Sequence, residues 1–217
     1  MKALILGLAI LLVGCGGGDS IAFIPTVPAQ PAPAASVEAC TVDLYGDSIM
    51  AGNGTPETPA VVLHALRPGL KVVDHAVAGT SLAMLANTFA TSPRTGRFVV
   101  IENGVIDSWT STPPEDFRDA LRGMLLHVRA EGRVPVLTGY SFQVPGTLTP
   151  MSVLRRDQFN AVAKALAGEL GVPFADWGAA RFDGADDLMD TVHPARAYSD
   201  RLVERLALAL DTVMECK

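Results

Sequence analysis

The sequence predicts an α/β protein built on a five-stranded parallel sheet with helices on both faces. Two observations carry this reading. From residue 41 onwards, β-like runs alternate five times with helix-like stretches, which is the pattern of a parallel sheet covered by helices. The runs 98–102 and 134–137 also read as continuous apolar stretches, as strands buried on both faces do.

The elements follow in order. The first strand is 41–45, and a helix over 58–66 is stopped by Pro68-Gly69. The run 71–77 is strand-like, because Val72, Val73 and Val77 favour β structure. A helix over 81–89 can be capped by Thr80 or Ser81. After the strand at 98–102 comes the clearest helix, 114–129. There Leu121, Met124, Leu125 and Val128 recur at helical spacing, and Pro114 suits the first turn. Strand 134–137 leads through an insert at 141–150, which holds Pro145, Gly146 and Pro150, to a helix over 152–170 closed by Gly171. A fifth strand at 172–175 and an amphipathic helix at 195–213, with Leu202, Leu206 and Leu210 on one side, complete the pattern.

The 217 residues fit one domain with additional segments. Half the chain is apolar (49%), enough for a full core. Seventeen basic residues against 23 acidic ones give a net charge of −6. The basic residues are scattered, so no nucleic-acid partner is expected, because phosphate binding needs a basic patch. The first segment, 1–14, reads as a signal peptide. Met1-Lys2 gives a positive start, and 3–13 is a nearly unbroken apolar run. That run is too short for a membrane span of ~20 residues and suits a signal-peptide core. It ends in Leu12-Val13-Gly14-Cys15, which resembles a bacterial lipobox. The resemblance implies that Cys15 is lipidated and heads the mature chain. The competing reading, a buried N-terminal helix, meets Gly14, Gly16, Gly17 and Gly18 at once. Residues 15–39, punctuated by Pro25, Pro28, Pro31 and Pro33, read as a tether, and 40–217 as the folded domain. Localisation is therefore expected at the bacterial cell envelope, lipid-anchored to a membrane. The outer membrane is favoured, on its periplasmic or surface face.

Cys40 and Cys216 lie at the two extremes of the domain. Export permits oxidation, so a disulfide between them is one reading; two unrelated free thiols are the other. No cysteine or histidine cluster has metal-ligand spacing, and no metal or cofactor is expected.

Open parallel sheets bind ligands beyond the carboxyl ends of their strands. Those ends carry Gly46-Asp47-Ser48, then Ala78-Gly79-Thr80, then Asn103-Gly104-Val105-Ile106-Asp107; Asp190-Thr191-Val192-His193-Pro194 precedes the last helix. A serine hydroxyl needs an adjacent base, and imidazole is the usual one near neutral pH. A carboxylate three residues before the histidine can hold its other nitrogen. Gly46 permits a sharp turn, so Ser48 can stand at a helix start where free N–H groups favour a developing oxyanion.

These blocks, in this order, resemble the GDSL, or SGNH, hydrolase family, and the resemblance spans residues 41–213. It implies a flavodoxin-like three-layer α/β/α sandwich and hydrolysis of esters or thioesters. It makes Ser48 the nucleophile, His193 the base and Asp190 its partner, with the backbone N–H groups of Ser48 and Gly79 in the oxyanion hole. Asp47 is then a turn residue. One block departs from the pattern: the family's Gly-x-Asn-Asp reads Gly104-Val105-Ile106-Asp107 here, and Ile106 cannot donate a hydrogen bond. A shifted loop could bring Asn103 into the hole instead; otherwise Asn103 satisfies backbone groups at the strand end. Trp109 and Tyr140 are candidates for a substrate pocket, or else pack. The expected activity is hydrolysis of a small-molecule, glycan or lipid ester by a monomer. The alternative is an impaired hydrolase scaffold that serves as an envelope binding lipoprotein.

Overall fold

A computed structural model describes residues 37–216. The segment read as a signal peptide, the expected lipidation at Cys15 and the expected tether up to residue 36 lie outside the described residues. Five strands form one sheet in the order β2-β1-β3-β4-β5. They are β1 (Glu38–Gly46), β2 (Lys71–Asp74), β3 (Gly96–Glu102), β4 (Val134–Thr138) and β5 (Phe174–Ala175). Every pairing is parallel, so all strand carboxyl ends point to one rim. The helices are α1 (Pro59–Leu66), α2 (Leu82–Phe89), α3 (Val105–Trp109), α4 (Pro114–Ala130), α5 (Pro150–Leu170) and α6 (Arg196–Asp211). Helices α1 and α6 pack together, and α2, α4 and α5 form a second packed row. The result is a three-layer sandwich whose strand order reverses between β1 and β3, the place where such sheets open a ligand crevice.

Local chemistry explains the boundaries. Thr58 and Thr149 cap α1 and α5 through their side-chain oxygens, each followed by proline in the first turn. Gly171 closes α5 in the left-handed conformation. The central strands are covered on both faces: Val42, Leu44, Val100, Ile101, Val136 and Leu137 are all fully buried.

Several boundaries differ from the sequence reading. Strand β1 begins at Glu38, inside the segment assigned to the tether. The Glu38 N–H bonds the Thr95 carbonyl at 2.8 Å, and its carboxylate pairs with Lys71, so two neighbouring strands hold it. Strand β2 stops at Asp74 because the chain then turns; the Val77 N–H reaches the Gly46 carbonyl at 3.0 Å. Helix α3 was not legible, being only five residues long.

Cys40 and Cys216 are bonded, with Cα atoms 5.7 Å apart and 176 residues between them in sequence. The bridge lies towards the amino ends of the strands, away from the rim. Cross-linking so long a loop restricts the unfolded chain, an effect worth ~2–5 kcal/mol. Replacing both cysteines by serine should lower the unfolding free energy in urea by about that amount. An unchanged midpoint would show that the bridge constrains nothing the fold has to lose.

Candidate active site

The turn after β1 is set by close packing. A Cβ on Gly46 would sit 2.4 Å from the Met50 Cβ and 2.7 Å from Glu102 Oε2, so only glycine lets the chain fold back here. The N–H groups of the turn are then taken up one by one. Asp47 N–H donates to Glu102 Oε2 at 3.2 Å, and Ile49 N–H to Asp47 Oδ1 at 2.9 Å. Ala51, Gly52 and Asn53 donate to the carbonyls of Asp47, Ile49 and Ser48, and Met50 N–H faces the Glu102 carboxyl. Among described residues, nothing accepts from the Ser48 N–H. The turn therefore leaves that donor open to an outside oxygen.

Ser48 Oγ lies 3.0 Å from His193 Nε2, and His193 Nδ1 lies 2.8 Å from Asp190 Oδ2. The other Asp190 oxygen accepts the N–H groups of Val192 (2.6 Å) and His193 (2.8 Å). Partial burial pushes the Asp190 carboxyl up, but the bonds from the His193 ring and from these two N–H groups outweigh it and hold it below the usual range. An ionised Asp190 fixes the proton on Nδ1 and turns the Nε2 lone pair towards Ser48. The loop is braced at its ends: Leu188 and Pro194 form a bridge, and Met189 N–H bonds the His193 carbonyl.

Gly79 has φ of +81°, a conformation side-chain-bearing residues avoid, and no described group accepts from its N–H. Its loop is tied down from β3 and α3. Asn103 Nδ2 donates to the Thr80 carbonyl at 2.7 Å, and Asp107 Oδ2 accepts the Leu82 N–H at 2.8 Å. This corrects the alternative that put Asn103 in the oxyanion hole: its amide is committed to the Thr80 carbonyl, and the residue is fully buried. Tyr140 is corrected as well. Its ring is fully buried, edge-on to Phe117 and hard against Gly104, so it touches no substrate. Trp109 remains at the rim, 38% exposed. Ile106, on α3, offers no polar donor to replace the missing asparagine.

Glu102 and Asp107 were not singled out from sequence. The signal for Glu102 was an acid ending an apolar strand, and for Asp107 the last position of the third block. Asp47 and Glu102 are both fully buried. Burial, the largest cause, pushes Asp47 up to about 7 and Glu102 well above its usual range. It also raises Asp107. Among the described residues no group of three His, Cys, Asp or Glu side chains is placed to hold a metal. A cleft of about 520 Å³ adjoins the rim, with Gly46, His75, Val77, Thr80 and Met84 in its walls.

An α/β sandwich with a Ser–His–Asp relay on its carboxyl rim, flanked by two open N–H donors, belongs to the class of serine acyl hydrolases. Within that class, the chain belongs to the GDSL-like lipase/acylhydrolase family, whose model matches residues 44–201. No curated protein matches it. Solved structures share the fold. The lipase/acylhydrolase from Enterococcus faecalis is 17% identical, with a TM-score of 0.68 over 82% of this chain and 98% of that one. A lipolytic G-D-S-L family protein from Veillonella parvula DSM 2008 is 17% identical, with a TM-score of 0.67 over 80% and 99%. TesA is 24% identical, with a TM-score of 0.62 over 80% and 99%.

The buried acids have a consequence for stability. In the unfolded chain they lose their protons near pH ~4, whereas in the fold Asp47 keeps its proton to about 7. The folded state binds more protons between these values, so stability falls as pH rises through that window. Unfolding midpoints in urea should be lower at about pH 8 than at about pH 5; a rising trend would contradict the assignment.

Proposed function

We propose that the protein is an envelope serine esterase that cleaves carboxylic esters or thioesters through an acyl-enzyme on Ser48. The observation that carries this reading is the relay Ser48–His193–Asp190 beside the open N–H groups of Ser48 and Gly79. His193 Nε2 takes the Ser48 proton as Oγ attacks the carbonyl carbon. The oxyanion is met by the two N–H donors, and Asp190 stays ionised while it holds the imidazolium. The intermediate collapses, and the leaving alcohol or thiol takes the proton from His193. Water, deprotonated by His193, then releases the acid and restores Ser48.

Exposed Val77, Met84 and Trp109 at the rim favour an ester with an apolar portion, whether small-molecule, glycan-borne or lipid. The lipobox-like 12–15 segment and the tether favour lipid anchoring through Cys15. The Cys40–Cys216 bridge agrees with an oxidising compartment. Ile106 favours a slow enzyme over a lost one, because the relay itself is intact.

Ser48→Ala should lower hydrolysis of p-nitrophenyl butyrate by about 10⁴-fold; equal rates in the two proteins would overturn the assignment. Ile106→Asn offers the hole a third donor of the kind whose removal elsewhere costs ~10²–10³ in turnover. It should raise kcat by about tenfold or more. An unchanged kcat would mean that two donors already complete the hole.

A further inference from the structure

We propose that Glu102 is a positioning residue for the nucleophile: a neutral carboxylic acid that shares its proton with Asp47 and so holds the turn carrying Ser48. The inference rests on the reading of Ser48 as nucleophile and adds a residue to it.

Glu102 is the last residue of β3 and the register partner of Gly46. It has no exposure to solvent, and neither has Asp47. Its Oε2 accepts the Asp47 N–H at 3.2 Å, its carboxyl faces the Met50 N–H, and the Gly46 backbone packs directly on it. One side chain thus fixes the residue before Ser48 and the turn after it.

Two buried oxygens in this cluster have no donor: Asp47 Oδ2 and Glu102 Oε1. Leaving such atoms unmatched is costly. If both groups were carboxylates, neither oxygen could be satisfied, and two like charges would face each other without water. A single proton removes both problems. Glu102 Oε1–H donates to Asp47 Oδ2, Glu102 Oε2 remains free to accept the Asp47 N–H, and Asp47 Oδ1 remains free to accept the Ile49 N–H. Every carboxyl oxygen then has a partner. The two residues are already in contact through the 3.2 Å bond from the Asp47 N–H to Glu102 Oε2.

The surroundings favour the same state. Asp107 faces the pair from α3, Tyr140 from the segment after β4, and His193 from the loop before α6. Only His193 can be a cation, and it already answers to Asp190. A second negative charge under the turn would oppose the charge that develops on Ser48 and its oxyanion. A neutral Glu102 braces the backbone without adding that charge.

The test compares wild type with Glu102→Gln and Glu102→Leu. Three quantities are read: the rate of Ser48 labelling by a fluorophosphonate, kcat and KM for p-nitrophenyl butyrate, and the infrared difference spectrum of wild type minus the Gln variant at neutral pH. Glutamine keeps a carbonyl for the Asp47 N–H and an NH₂ for Asp47 Oδ2, whereas leucine keeps neither. Leu should lower labelling and kcat by about 10²-fold, as displacement of a reacting group does, with KM little changed. Gln should recover most of that loss. The difference spectrum should contain the carbonyl stretch of a buried protonated carboxylic acid. Equal rates in the Leu and Gln variants, or no such band, would overturn the proposal. If the Leu variant does not fold, the band and the labelling rate of the Gln variant decide. A wild type that takes no label at Ser48 overturns the nucleophile reading, and the band still settles the state of Glu102.

Discussion

Gly46 and Glu102 are partners in the parallel register of β1 and β3, and the positions of Ser48 and of the Gly79 loop follow from that pairing. Parallel strands in register end at the same height, so the chain segments leaving β1 and β3 emerge side by side at the switch point of the sheet. The β1 segment turns back at once, because Gly46 has no side chain to prevent it. The β3 segment delivers a carboxyl into the turn, then an amide to the Thr80 carbonyl, then a second carboxyl to the start of α2. Three stretches of chain remote in sequence are thus bound to one another by polar contacts from buried side chains. The open N–H groups of Ser48 and Gly79 are what this network leaves over.

His193 and Asp190 reach the rim by a different route. Their loop is braced by the insert after β4, where the Val144 N–H meets the Thr191 carbonyl at 3.2 Å. The insert is held in turn by Arg156 of α5. Its guanidinium is buried, donates to the carbonyls of Tyr140 and Ser141, and lies over the Phe142 ring. The base and the nucleophile are therefore carried by separate supports, one fixed through β3 and one through α5. His193 and Ser48 join the two supports through their 3.0 Å contact.

Much of this was legible in the sequence. Strand–helix alternation gave the sheet, because hydrophobic period is a direct imprint of burial. The Ser48, Asp190 and His193 blocks were readable because glycine, proline and acid–base residues cluster where strands end. Other features were not. The start of β1 at Glu38 depends on a bond to Thr95 and an ion pair with Lys71, both long-range. The burial of Tyr140 depends on Gly104 lying across its ring, which spacing does not reveal. The engagement of Asn103 with Thr80 depends on the path of the loop after β2. Glu102 was hidden for a related reason: a glutamate at a strand end looks like a solvent-facing group, and only the return of the turn over it takes it out of water.

The disulfide closes the chain from Cys40 to Cys216, and almost every residue discussed lies inside that ring. A protease that nicks the domain once within it therefore opens a loop without releasing a fragment. A cut between residues 49 and 189 would put Ser48 on one piece and His193 on the other, yet the two pieces would stay joined through sulfur and could reassemble as a single molecule. That is a form of damage tolerance. It is conferred by a bond at the pole of the sheet farthest from the chemistry.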